Sequence, residues 1–437
     1  MFHFFIFICN IKIFFNLIIL PFYKYKISNF SNLENFQSNI YTEFEIGTPS
    51  QKIKMDIRFD TYSILISNFS KITPFNSDIS KTFQILNSST FLNYYRHNHY
   101  YAYTIQENLL IKNKYCNLSI NNFSFIFGIQ SNINTNKNFN CLGLQIKRNN
   151  IKSDRNFIEQ LKKLNIINSY AFTVKYLDKD KGQIIIGEYP HEYNNEIYKD
   201  YNFRYVNAEY FGSEIEWKLN FNNVSFFNVF DSINEAKLDL NYLGILASNF
   251  YHEIIYDNIF KDLIEKNICY MSDIFDGHYF IYYCKENDIL KRKFKPIYFY
   301  HKQLNYTFVL DYKDLFLKNN NLIYFMMVFN QYTTSFWVFG EIFFRKYEFV
   351  FDQDKKIMGF YCNNININRK LNSNKSLFIM IIIFILLIII IMLLLFIKKI
   401  YNLKKKKNKY MKDKELDFIN MENENNYYNI KFLNNSK

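Results

Sequence analysis

Two aspartates stand where an apolar stretch gives way to a polar turn. The segment IGTPSQKIKMDIRFDTYS at 46–63 alternates apolar and polar residues through KIKMDIRF and then reaches Asp60. Far along the chain, EAKLDLNYLGILAS at 235–248 brings Asp239 to the end of a second apolar strand. Asp231 is a rival for that place, but it does not end an apolar strand. Two carboxylates within hydrogen-bond reach of one water cannot both ionise easily, because like charges repel at that range. Such a pair holds one proton and titrates as a unit, and its two members can serve as base and acid.

The elements that must position these residues read mostly as strands. SYAFTVKYL at 169–177 pairs naturally with GQIIIGEY at 182–189, and EWKLNFNNVSFFNVF at 216–230 is a further strand-like run. Helical patterns are few, RNFIEQLKKLN at 155–165 and NFYHEIIYDNIFKDLIEKN at 249–267. An all-β body with a few short helices follows, and 437 residues suffice for two lobes with their own cores. The chain is rich in Phe, Tyr, Asn, Lys and Ile, so any short motif built of those types carries little weight alone.

The segment around Asp60, with Gly47, Thr48, Pro49 and Gln51 before it and Thr61 and Ser63 after, resembles the first aspartate loop of pepsin-like aspartic proteases. FWVFGEIFFRKYEFVFDQDKKIMGFY at 336–361 resembles the closing segment of the second lobe in the same family. The resemblance covers roughly 40–362 and implies a bilobal pepsin-like fold, with an N-terminal lobe at 28–195 and a C-terminal lobe at 196–364. It implies peptide-bond hydrolysis by Asp60 and Asp239 through an activated water, without cofactor or metal. Tyr95 is the flap residue it implies, in the hairpin LNYYRHNHYYAYTIQENLLI at 92–111. Tyr62, Ser63 and Tyr242 are implied to line the substrate cleft. CysLeuGly at 141–143 and ValPheGly at 338–340 resemble the apolar-apolar-Gly elements beneath the loops, where Gly143 and Gly340 serve close backbone approach.

The motifs are degenerate. Tyr62 and Asn241 replace the glycine after each aspartate loop's second residue, and Leu240 replaces threonine. Each replacement is expected to bring a side chain into or beside the space next to a carboxylate. Thr61 can brace the two loops against each other and Leu240 cannot. Two readings therefore stand: a membrane-anchored aspartic endopeptidase, or a catalytically impaired pepsin-like protein that binds a peptide or partner in its cleft.

The chain ends bear on location. LFIMIIIFILLIIIIMLLLFI at 377–397 is an uninterrupted apolar run of the length that spans a bilayer as a helix. Lys398, Lys399 and the run 404–407 follow it, which predicts a basic cytosolic tail at 398–437 and a polar stalk at 365–376. The apolar N-terminus reads as a signal peptide or signal anchor over 1–27. Together these predict a single-pass type I membrane protein of the secretory pathway or cell surface, its body lumenal or extracellular. The formal charge of +13 is not one basic surface: the tail holds eleven Lys against five acidic residues, and no segment before it joins a basic cluster to a nucleic-acid motif, so a nucleic-acid partner has little support. The expected partners are a protein or peptide substrate and the membrane, for a monomer. Among six cysteines, Cys269 with Cys284 is the expected disulfide; no spacing suggests a metal site.

Overall fold

The computed structural model describes residues 17–25, 40–70, 72–95, 98–131, 139–146, 155–211, 214–227, 229–231, 234–274, 279–286, 288–330, 336–362 and 384–394, with isolated positions in the tail. The chain divides into two units, 1–364 and 365–437.

The larger unit is strand-rich. Strands Ile40–Ile46 and Gln51–Arg58 form a hairpin whose buried and half-buried residues alternate, as period-2 side-chain placement requires. They belong to a thirteen-stranded sheet that ends, on one side, with the long strands Asn117–Ser131, Asn98–Lys112 and Gln84–Tyr95. At its other side lie Phe349–Asp352, Ile357–Tyr361 and Phe203–Asn207, so late segments of the chain complete a sheet begun by early ones. An eight-stranded sheet carries Asn234–Leu238, Phe336–Phe339, Ile245–Ser248 and Leu322–Asn330, and a four-stranded sheet lies beside it in sequence.

The predicted strand pair is present as Ala171–Tyr176 against Lys181–Ile186. The long run at 216–230 breaks into three strands, Lys218–Phe221, Asn223–Phe226 and Val229–Asp231, with Asn222 between the first two. The first helix spans Phe157–Lys163 behind an Asn156 cap, with Phe157, Ile158 and Leu161 buried. The second begins at Asn249 and passes through a π-helical turn, Tyr256–Phe260, to Lys261–Glu265. Cys269 and Cys284 face each other across an antiparallel pair and form the expected disulfide.

The apolar N-terminus requires a correction. Ile18–Lys24, placed by sequence within a leader over 1–27, is a strand of the large sheet, paired with Lys181–Ile186 and joined to Ile40–Ile46. Ile18, Leu20 and Phe22 are fully buried there. The strand is antiparallel to both neighbours and its burial alternates, yet it is apolar on both faces through Phe22, so composition alone does not separate it from a leader's core. Residues 1–16 lie outside the described residues.

Lys24, at the end of that strand, contacts buried Glu341 at 3.1 Å, and Arg345 pairs with the same carboxylate. Burial pushes the Lys24 amine down, opposed by the Glu341 charge. Glu341→Gln would leave two cations facing a neutral amide. We expect it to destabilise the protein by about 3–5 kcal/mol, the usual cost of breaking a buried pair, checked by denaturant unfolding. A variant within about 0.5 kcal/mol of the parent would refute this.

Of the predicted span 377–397, residues 384–394 are described; they are helical with exposed apolar side chains. Among the described residues no helix is long and apolar enough to cross a membrane.

Candidate active site

The two aspartates sit in loops built to the same plan. Gln51–Arg58 leads to Asp60 and runs parallel to Cys141–Gly143, which is antiparallel to Ile64–Ser67 after the loop. Ile64–Ser67 in turn runs parallel to Asn117–Ser131. In the second half, Asn234–Leu238 leads to Asp239 and runs parallel to Phe336–Phe339, antiparallel to Ile245–Ser248. Ile245–Ser248 then runs parallel to Leu322–Asn330. The same parallel–antiparallel–parallel order occurs twice, once around each aspartate.

Glycines close both loops. A Cβ on Gly143 would lie 2.4 Å from the Thr61 carbonyl oxygen and 2.6 Å from that of Ser63. On Gly340 it would lie 2.2 Å from the Tyr242 oxygen and 2.4 Å from that of Gly244. These contacts are with backbone, which cannot turn aside as a side chain can, so the expected close approach is present at both. Gly340→Ala is predicted to cost at least about 1–3 kcal/mol through forced backbone displacement. It should also weaken any ligand of the cleft, because the displaced loop carries Asp239. Thermal unfolding beside a binding assay checks both, and an unchanged Tm would contradict the prediction.

Around Asp60 the dominant neighbour is Arg58. Its Nε donates to Asp60 Oδ1 at 3.0 Å and its Nη2 to Oδ2 at 2.6 Å, a two-point ion pair. The arginine side chain is 4% exposed and that of Asp60 34%. Thr61 Oγ1 also donates to Asp60 Oδ1, at 3.2 Å. The expected bracing of one loop by the other through Thr61 is therefore replaced by a bond to its own neighbour. Phe59 packs edge-on against Phe172, Phe344 and Phe351, which holds the Asp60 loop to strands and a helix from later in the chain.

Asp239 is more deeply set, its side chain 5% exposed. Burial, then the charge of Asp60, pushes its carboxyl up to about 6, partly opposed by Lys237, the Asn241 backbone bond and Arg58. The Asn241 N–H reaches Asp239 Oδ1 at 3.0 Å, so the backbone approach is kept although a side chain replaces glycine. The Asn241 side-chain amide is buried and makes no hydrogen bond among the described residues. Leu240 is buried in the core, where a threonine hydroxyl would need a partner. Lys237 Nζ lies 3.9 Å from Asp239 and 2.9 Å from Glu216. Burial opposes its charge, but Asp239 and Glu216 together raise its pKa above the usual value.

The other expected cleft residues are placed differently from one another. Tyr62 is 4% exposed and donates to Glu159 of the helix at 2.6 Å, while Asn156 Nδ2 donates to its carbonyl at 3.0 Å. Its ring is turned into the body of the protein, so the expected substrate contact gives way to a helix-to-loop tie. This corrects the expectation that Tyr62 crowds the carboxylate. Ser63 is buried and its carbonyl abuts Gly143. Burial, then the charge of Asp239, holds the Tyr242 hydroxyl protonated. Tyr95 pairs with Asn98 at the tip of the hairpin formed by Gln84–Tyr95 and Asn98–Lys112; its side chain lies outside the described residues. The hairpin base is held by buried Glu107, which accepts from Ser80 at 2.6 Å, from the Asn108 N–H at 2.8 Å and from Thr82.

The repeated loop plan is matched by family comparison. A model of the eukaryotic aspartyl protease family covers residues 39–361. The chain belongs to that family. This pepsin-like membership supports a peptidase-type function of the aspartic kind, acting on peptide or protein substrates. No curated protein matches the chain. Within this aspartic protease the sequence reading overlooked Arg58 and Lys237. Their signal was legible: Arg-Phe-Asp at 58–60 and Lys-Leu-Asp at 237–239 each put a cation two residues ahead of an aspartate. In a strand that spacing places both side chains on one face.

Proposed function

We propose that this protein is an aspartic endopeptidase in which Asp60 is the general base and Asp239 the general acid. The observation that carries the reading is the unequal setting of the two carboxylates: Asp60 paired with Arg58 and partly exposed, Asp239 buried and raised to about 6. The proton of the pair then resides on Asp239 in mildly acidic solution. Asp60 takes a proton from a water as its oxygen bonds to the substrate carbonyl carbon. Asp239 gives its proton to the carbonyl oxygen, forming a neutral tetrahedral diol. In the collapse Asp60 passes its proton to the departing amine, the C–N bond breaks, and Asp239 recovers a proton from the diol.

The reading extends to topology. The run 377–397 serves as a membrane anchor, with 28–195 and 196–364 as the two lobes on the lumenal or extracellular side and 398–437 in the cytosol. Residues 18–24 are assigned with the body, since they form a strand of it.

Incubating the purified full-length protein with an unfolded protein from pH 3.5 to 7 tests the function. Cleavage that a peptide bearing a hydroxyl at the scissile position blocks is the expected result. A folded sample that binds this peptide without cleaving would favour the second reading, a binding cleft. The specific observation on that side is the hold of Arg58 on both oxygens of Asp60.

A further inference from the structure

Each aspartate has a cation two residues ahead of it, but the two cations are not equally committed. Arg58 makes two contacts with Asp60, at 3.0 and 2.6 Å, one to each carboxylate oxygen. Lys237 stands closer to Glu216 than to Asp239, 2.9 against 3.9 Å, so much of its charge is spent on another carboxylate. The groups that act on Asp60 include Arg58 and the Thr61 hydroxyl from its own segment, with Asp239 and Lys237 from the second loop. Those acting on Asp239 include Asp60, Lys237, the Asn241 N–H and Arg58. Two equivalent carboxylates would leave the shared proton with no preferred home. Here one carboxylate has a guanidinium in two-point contact and the other does not.

We propose that Arg58 is a positioning residue that assigns the proton of the pair: by holding both oxygens of Asp60 it fixes that carboxylate as the ionised member and leaves Asp239 as the protonated one. This deepens the proposed endopeptidase reading and rests on it for the catalytic roles alone. The two-point contact takes one lone pair on each oxygen of Asp60, and Thr61 Oγ1 takes the other on Oδ1, so a water would meet this carboxylate at Oδ2. The contact also orients the carboxylate plane, which a point charge such as lysine's would not.

The sign of the pH effect follows. A cation beside a carboxylate favours its ionised form, so removing Arg58 lets a proton onto Asp60 at higher pH and moves the acid limb of activity upward. Asp239 also feels Arg58, so its limb near 6 moves in the same direction. Arg58→Gln, which keeps hydrogen-bonding capacity without charge, should move the whole profile upward by about 1 pH unit or more. At a pH below the acid limb that corresponds to about tenfold lower kcat/KM. Arg58→Lys should restore the position of the profile while leaving kcat reduced.

The test measures, for the full-length protein and both variants from pH 3 to 8, peptide cleavage and calorimetric binding of a hydroxyethylene peptide, whose hydroxyl takes the place of the attacking water. Profiles that shift upward in Arg58→Gln and return in Arg58→Lys support the assignment. A uniform loss with unmoved limbs would mean that Arg58 is only structural and would overturn it. If the parent binds the peptide but cleaves nothing, the endopeptidase reading fails separately, and the binding profile judges Arg58 by the same shift. Absence of pH-dependent binding by the folded parent would overturn the assignment as well.

Discussion

Asp60→Asn is expected to lower kcat/KM for peptide cleavage by about 10²–10⁴-fold, the range contributed by a general base. An amide at that position cannot take the proton that water must lose as it attacks. Asp239→Asn should cause a comparable loss for the opposite reason, since an amide donates its N–H but cannot transfer the proton to the carbonyl oxygen. The two variants differ in how they affect folding with pH. The carboxyl of Asp239 stands at about 6 in the folded protein against an ordinary value of 3.8. A raised carboxyl contributes stability that is fully present below pH 3.8 and is lost as pH rises through about 6. Asp239→Asn removes that dependence, so relative to the parent it should gain on the order of 3 kcal/mol above pH 6 and nothing at pH 3.5. Activity in the parent should fall through the same region, because the acid loses its proton there. Steady-state kinetics beside denaturant unfolding at pH 3.5 and 7 check both statements. Retention of full activity in either variant would remove the aspartate pair from the mechanism.

Deletion of residues 17–25 is expected to abolish cooperative folding. Ile18, Leu20 and Phe22 are fully buried, and each such side chain contributes about 1.5–3 kcal/mol. Their sum, about 5–9 kcal/mol and an upper bound, is comparable with the whole stability of a typical domain. The strand also closes a gap between Lys181–Ile186 and Ile40–Ile46, and without it both would present unpaired edges. Glu341 would keep Arg345 but lose Lys24. The expected result is a sample rapidly degraded in limited proteolysis and without a thermal transition. A deletion variant that unfolds cooperatively at the parent's Tm would show that the strand is dispensable.

The sequence by itself determined the fold class, the family, the pairing of Ala171–Tyr176 with Lys181–Ile186, the Cys269–Cys284 bridge and the close approach at Gly143 and Gly340. The strands follow from local alternation, the bridge from two cysteines that close a short loop, and the glycines from the resemblance of their segments to the family. The tertiary structure alone decided where three side chains and one segment go. Tyr62 stands at the glycine position of its loop but turns to Glu159, which is distant in sequence and close in space. Ile18–Lys24 reads as a leader until its partner strands are known, because hydrophobicity does not distinguish a bilayer from the centre of a sheet. Arg58 and Lys237 occupy the same place in two similar tripeptides, yet Arg58 makes a two-point pair with its aspartate while Lys237 stands nearer Glu216 than Asp239. That difference depends on Glu216, which reaches Lys237 from another strand. Charge on a residue is written in the sequence; the carboxylate that receives it is chosen by packing.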